Sequence, residues 1–232
     1  MIATIKAYIT KKPLLEKYAR FLISRKNPIK LIPKKNIKGR NNKIEIANSA
    51  TLYNCQIKII GNGNNVKIEA SSVFNNVKIY IKGNSNSIRI CNNVRFNRGG
   101  SIWIEDNYGT LLVGQKTTFE DTHLAITEDN SKIQIGEDCM FAYDIDVRTG
   151  DSHSIIDTIT NKRINAAKDV IIGNHVWTAA HVSILKGSEI NDNSVVATRS
   201  VVTKKFETKN ILIAGAPAKQ IKSNLNWDRQ RI

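Results

Sequence analysis

Residues 170–202 read VIIGNHVWTAAHVSILKGSEINDNSVVATRSVV. Ile172, Thr178, Ile184, Ile190, Val196 and Val202 recur there at every sixth position, and a smaller residue (Val176, Val182, Ser188, Ser194, Ser200) follows four places after each of the first five. A mostly large inward residue and a small one, repeated every six, is the hexapeptide pattern of a parallel β-helix. Three short flat strands then make a turn, and about 18 residues close it.

Upstream, the same register runs with a longer step. Ile46, Ile68, Ile90, Val113, Ile135 and Ile172 end equivalent apolar rungs, spaced 22, 22, 23, 22 and 37 residues apart. Six places after the first five come Leu52, Phe74, Phe96, Phe119 and Phe141. A narrow coil needs this regularity, because every turn must fill the same cross-section and stacks on its neighbours to bury a shared core. A β-sandwich would keep neither a fixed step nor a fixed position for phenylalanine. The extra residues of each longer turn fall in Asn/Gly-rich stretches at 61–65, 83–87, 105–109 and 128–131, residue types that tolerate the positive φ of tight corners. The surplus in the 37-residue step lies around Thr149–Arg163, a polar stretch containing His153.

Charge is uneven. Residues 1–43 hold 13 Lys or Arg against the single acid Glu16, whereas the rest of the chain has 22 basic and 19 acidic residues. Within this arm Pro13 opens a predicted helix with Leu14, Leu15, Tyr18, Phe21 and Leu22 on one face. Three roles stay open for it: a cap on the coil, attachment to anionic lipid at the inner face of the membrane, and attraction of a polyanionic acceptor. No nucleic-acid-binding motif accompanies the charge. Three cysteines without metal-ligand spacing, no apolar run of membrane-spanning length and no secretory h-region make the cytoplasm the expected compartment. The expected division is a basic arm at 1–43, a β-helix at 44–206 with an insertion at 149–163, and a C-terminal loop and tail at 207–232.

The runs IGNHVW (172–177), VSILKG (182–187), SVVTK (200–204) and AGAPAK (214–219) resemble the hexapeptide-repeat acyltransferases. The segment RTGDSHSIID (148–157), with Trp177 24 residues after His153, is similar to the bacterial capsular-polysaccharide O-acetyltransferases, the polysialic acid type included. The resemblance implies an all-β, left-handed parallel β-helix assembled as a homotrimer, with acetyl-CoA as acyl donor in the groove between subunits and a glycan hydroxyl as acceptor. It makes His153 the catalytic base and Trp177 a catalytic-site and cofactor-lining residue. It places further cofactor contacts at Ala180, Thr198, Arg199, Lys204, Gly215, Ala216, Pro217 and Lys219. No metal is implied. One departure stands out: Thr178 and Ala179 follow Trp177 where many relatives have Ile and Gly.

The residues themselves agree with that chemistry. A sugar hydroxyl attacking a thioester must lose a proton, and neutral imidazole suits the task near pH 7. His153 has only polar neighbours before Ile155, which fits a site loop and, without the resemblance, fits a solvated loop equally well. Asp151, Asp146, Asp144 and a backbone carbonyl are all candidates to orient its ring. The alternative reading is an amino-sugar N-acetyltransferase acting on a sugar nucleotide. A zinc site on the same scaffold would need three converging imidazoles; His175 and His181, six apart, fall on successive faces and point in different directions, and His123, 30 residues before His153, falls in a separate turn.

Overall fold

The computed structural model describes residues 33–232; the predicted helix at the N-terminus lies outside them. The described chain has no helix and winds into a parallel β-helix with three faces. Face one stacks eight strands in sequence order, from Lys43–Ile46, Asn65–Ile68, Ser87–Ile90, Thr110–Val113 and Lys132–Ile135 to Val170–Ile172, Glu189–Ile190 and Lys205–Phe206. Face two carries Thr51–Tyr53, Val73–Asn75, Met140–Phe141, Trp177–Thr178, Val195–Val196 and Leu212–Gly215. Face three carries Lys34–Lys38, Gln56–Ile60, Val77–Lys82, Ile145–Arg148, Ser183–Ile184 and Val201–Val202. The long strands Arg95–Glu105 and Thr118–Ile126 bend through both of the last two faces.

Alternation along each strand decides what is buried. Ile46, Ile68, Ile90, Val113, Ile135, Ile172, Ile190 and Phe206 form one column of directly paired positions on face one. On face two the inward column runs Leu52, Phe74, Phe96, Phe119, Phe141, Thr178, Val196 and Ile213. Its four phenylalanines are fully buried, with successive ring centroids 4.7, 4.3 and 4.8 Å apart. Thr178 takes the next inward place, and its buried hydroxyl has no hydrogen-bond partner.

The edge between faces three and one explains the Asn/Gly stretches. Gly61 and Gly83 have φ of 140° and 146°, and a Cβ on either would lie 1.8 or 1.7 Å from a carbonyl oxygen of the next turn. Beside them Asn64 and Asn86 turn inward and are buried. Asn64 Nδ2 donates to Asn42 Oδ1 (2.9 Å) and Gly83 O (2.9 Å), and Asn86 Nδ2 donates to Asn64 Oδ1 (3.1 Å) and Asp106 O (3.0 Å). Each carboxamide thus satisfies backbone groups that a tight corner leaves without a strand partner.

The coil is longer than the sequence division implied. Lys34–Lys38 pairs in parallel with Gln56–Ile60, so the end of the basic segment is already part of the stack. Leu212–Gly215 continues face two past residue 206, then turns back through an antiparallel pairing with Ala218–Lys222. The tail beyond climbs the edge between faces one and two. Asn210 Nδ2 donates to Leu225 O (3.1 Å), the Trp227 ring stacks 4.2 Å from that of His175, and Arg229 reaches Asp138 (3.0 Å).

Candidate active site

Residues 149–169 leave the coil after Ile145–Arg148 and return at Val170–Ile172, on the same edge as the Asn/Gly corners. A short antiparallel bridge between Ile156 and Arg163 closes the outer part of this excursion. Its base is pinned at three places. Thr149 is buried and exchanges hydrogen bonds with Thr127 (3.0 and 3.1 Å). Arg163 grips Glu128, with Nη1 donating at 2.9 Å. Lys186, on the following turn, pairs with Asp151. The Lys186 ammonium holds the Asp151 carboxyl below its ordinary value, and the Arg163 guanidinium does the same for Glu128.

His153 sits exposed near the start of the excursion. Among the described residues its imidazole hydrogen-bonds to no side chain; only its backbone carbonyl is engaged, by Asn165 Nδ2 at 2.7 Å. The three aspartates expected as candidates to orient it do not. Asp151 faces Lys186, Asp146 accepts from Arg148 Nε (2.6 Å), and Asp144 lies 2.6 Å from His181 Nδ1.

Trp177 opens a short strand of face two, half-buried, between Met140 and Val195 in register. Val176 before it and Thr178 after it are fully buried, so alternation turns the indole outward. Beside it, at the edge between faces two and three, Ala180, Thr198 and Gly215 occupy equivalent places on three successive turns. Arg199 N and Thr198 Oγ1 donate to Ala180 O (3.1 and 2.8 Å), and Ala197 N to Ile213 O (2.8 Å). Arg199, Ala216, Pro217 and Lys219 extend this column, all exposed. Eight of the nine expected cofactor contacts therefore line one edge and its adjoining face. Lys204 does not join them: it lies on the edge of the His153 excursion, with its ammonium 5.3 Å from the Phe206 ring centre.

The remaining histidines are dispersed. His123 contacts Ser101 on face three, where burial lowers its proton affinity, and His175 lies 2.8 Å from Asp138. Among the described residues no group of three His, Cys, Asp or Glu is disposed to hold a metal ion. Burial pushes the Cys139 thiol up to about 12 and Cys55 to about 11, so neither is a ready nucleophile.

Sequence reasoning missed two features beside the site. Asn165 and Lys186 brace the His153 segment; Lys186 falls in the VSILKG run, but nothing around either residue marks this role. The Trp227 ring lies 6.2 Å from that of Trp177; a tryptophan in a mostly polar tail, one of three in the chain, was the available signal.

A parallel β-helix with hexapeptide turns and one histidine-bearing excursion defines a class, the hexapeptide-repeat acyltransferases. No family model matches the chain. It is 39% identical over 119 residues to a polysialic acid O-acetyltransferase of Escherichia coli O1:K1 / APEC, and 38% identical over 121 residues to one of Neisseria meningitidis. Those matches cover 51% and 52% of this chain but only 38% and 56% of the relatives' length. Similarity to solved structures is broader. The polysialic acid O-acetyltransferase OatWY superimposes with a TM-score of 0.80 at 36% identity, covering 85% of this chain and 92% of that one. The polySia-specific acetyltransferase NeuO gives 0.75 at 31%, covering 85% and 90%. The chain belongs to the hexapeptide-repeat acetyltransferase family that includes these polysialic acid O-acetyltransferases.

Proposed function

We propose that this protein transfers acetyl from acetyl-CoA to a hydroxyl of a bacterial surface polysaccharide or its precursor, with His153 as general base. The observation that carries the reading is His153 itself: an exposed imidazole on a braced excursion, in a chain whose relatives acetylate a sialic acid polymer. In the reaction the imidazole takes the proton of the acceptor hydroxyl as its oxygen bonds to the thioester carbonyl carbon. The tetrahedral intermediate then expels the thiolate, which recovers that proton from the imidazolium. The products are an O-acetyl ester and free CoA.

The working unit in this proposal is a homotrimer. His153 and Lys204 emerge at the edge between faces three and one, whereas Trp177 and the column Ala180–Thr198–Gly215 flank the edge between faces two and three. Docking the first edge of one copy against the second edge of the next completes a site with acetyl-CoA in the groove between them. The outward indole of Trp177 supplies an apolar face for the pantetheine arm, and Arg199, Lys204 and Lys219 supply cations for the phosphates. Three free cysteines fit action in the reducing cytoplasm.

The test is release of free CoA from acetyl-CoA by wild type and His153→Ala, across polysialic acid and a panel of other anionic and neutral bacterial polysaccharides. Acceptor-dependent release that vanishes in the variant is the expected result. Release with a small amino sugar and with no polymer would overturn the acceptor class. A variant that keeps full turnover would overturn the role of His153.

A further inference from the structure

Past Thr149 at its base, the one buried side chain of the excursion is Asn165, 6% exposed. Its carboxamide is fully used. Nδ2 donates to Asp151 Oδ2 (2.8 Å) and to the His153 carbonyl (2.7 Å), while Oδ1 accepts from the Ile155 N–H (2.8 Å) and from Arg163 Nε (3.1 Å). One side chain thereby ties residues 151, 153 and 155, the alternate positions centred on the histidine. Its own backbone carbonyl accepts from Lys186 Nζ (2.8 Å), which also pairs with Asp151 and is rooted in the coil. The chain of contacts runs from the rigid stack through Lys186 and Asn165 to the backbone of His153.

We infer that Asn165 is a positioning residue for His153, fixing the excursion so that the imidazole projects from one place relative to the coil; this rests on the catalytic reading above. Every contact falls on the backbone, on Asp151 or on Arg163, and none on the ring, so Asn165 sets where the base stands. Accurate placement matters because an error of about 1 Å in a reacting group can cost roughly 100-fold in rate. Surface loops do not otherwise hold that tolerance, and the described imidazole has no side-chain partner of its own. None of these contacts reaches the residues proposed to hold acetyl-CoA, so affinity for the donor should change little with Asn165.

A double-mutant cycle on the full chain tests this, using His153→Ala, Asn165→Ala and the double variant. The probes are acetyl-CoA with polysialic acid, and with the fastest-turned-over glycan of the panel if that is another. Asn165→Ala is expected to lower kcat at least about tenfold, with KM for acetyl-CoA within about twofold and the pH midpoint of kcat unmoved. In the His153→Ala background it should cost nothing further, because the group it positions is gone. Equal losses in both backgrounds, as a merely structural role would give, overturn the inference, as does a kcat within twofold of wild type. If His153→Ala alone keeps full turnover, the failure belongs to the catalytic reading. Should Asn165→Ala not fold, Lys186→Met enters the same cycle and is judged by the same outcomes.

Discussion

Turns built from residues 34–136 and turns built from residues 170–215 fill the same cross-section by different means. In the first group, contacts between turns join residues 22 or 23 apart, strands run up to 11 residues, and buried asparagines line one edge. In the second, the repeat shortens to 18 and then to 16 or 17, the strands of faces two and three shrink to two residues before Leu212–Gly215, and buried serines take the corner positions. Ser188 Oγ donates to Val202 O (3.0 Å), where Asn86 on a wide turn satisfies three groups. The excursion carrying His153 stands at the junction, on the very edge that the wide turns had already enlarged. The first group is scaffold with its own internal bracing; the short turns carry the Trp177 face and the exposed column beside it. Stability and activity should therefore respond to different halves.

The sharpest way to break that division is to compare Phe119→Ala with His153→Ala. Phe119 is fully buried between Phe96 and Phe141, so its removal should cost about 3–5 kcal/mol in chemical denaturation. His153→Ala should leave the unfolding midpoint in place and lower CoA release by about 10²–10⁴-fold. A His153 variant that unfolds early would mean that the excursion is scaffold after all.

Next in size is the asparagine edge. Asn86→Ala strands Asp106 O and the Gly109 N–H, and should cost roughly 1–3 kcal/mol. Thr203→Ala, exposed on the same edge among the short turns, should stay within about 0.5 kcal/mol of wild type. Equal costs at the two positions would erase the difference between the halves.

Period and inward columns were legible in the sequence, because stacking identical cross-sections forces Ile46 to meet Ile68 and Phe96 to meet Phe119. The corners were legible too, since Asn and Gly are the residues such geometry admits. The excursion stood out as a break in period. What holds His153 in place was not readable: Asn165 is 12 residues away and Lys186 lies 35 residues beyond the Asp151 it pairs with, in a different turn. Contacts across an insertion obey no repeat, so the aspartates nearest in sequence misled. The separation of His153 from Trp177 onto different edges follows from where the insertion leaves the coil, which a motif spacing of 24 residues does not encode.

A smaller effect sits where the repeats meet the column of aromatics. Thr178 inherits the place below Phe141, and its hydroxyl is buried without a partner. Thr178→Val replaces that hydroxyl with a methyl group of the same shape, and should stabilise the fold by about 1 kcal/mol in thermal or urea unfolding. A loss instead would show that the hydroxyl is satisfied in solution and that the short turns tolerate polar inward slots better than the wide ones.

The weakest expected effect concerns the tail that bridges the two kinds of turn. Burial by itself would raise the Asp138 carboxyl, but hydrogen bonds from His175 and Arg229 outweigh it and leave the group below its ordinary value of 3.8. A carboxyl depressed by folding contributes stability above its unfolded value, and that contribution drains away as pH falls through the lower folded one. Docking of the tail should therefore be constant at neutral pH and fade below about pH 4. The Trp227 indole, stacked on His175 and donating to its carbonyl at 2.8 Å, reports this directly through its fluorescence. Asp138→Asn should remove the acid-dependent change while the wide turns remain folded. If wild type and variant give superimposable fluorescence titrations, another group governs the tail, and the clasp at Asp138 is incidental to how the short turns are held against the long ones.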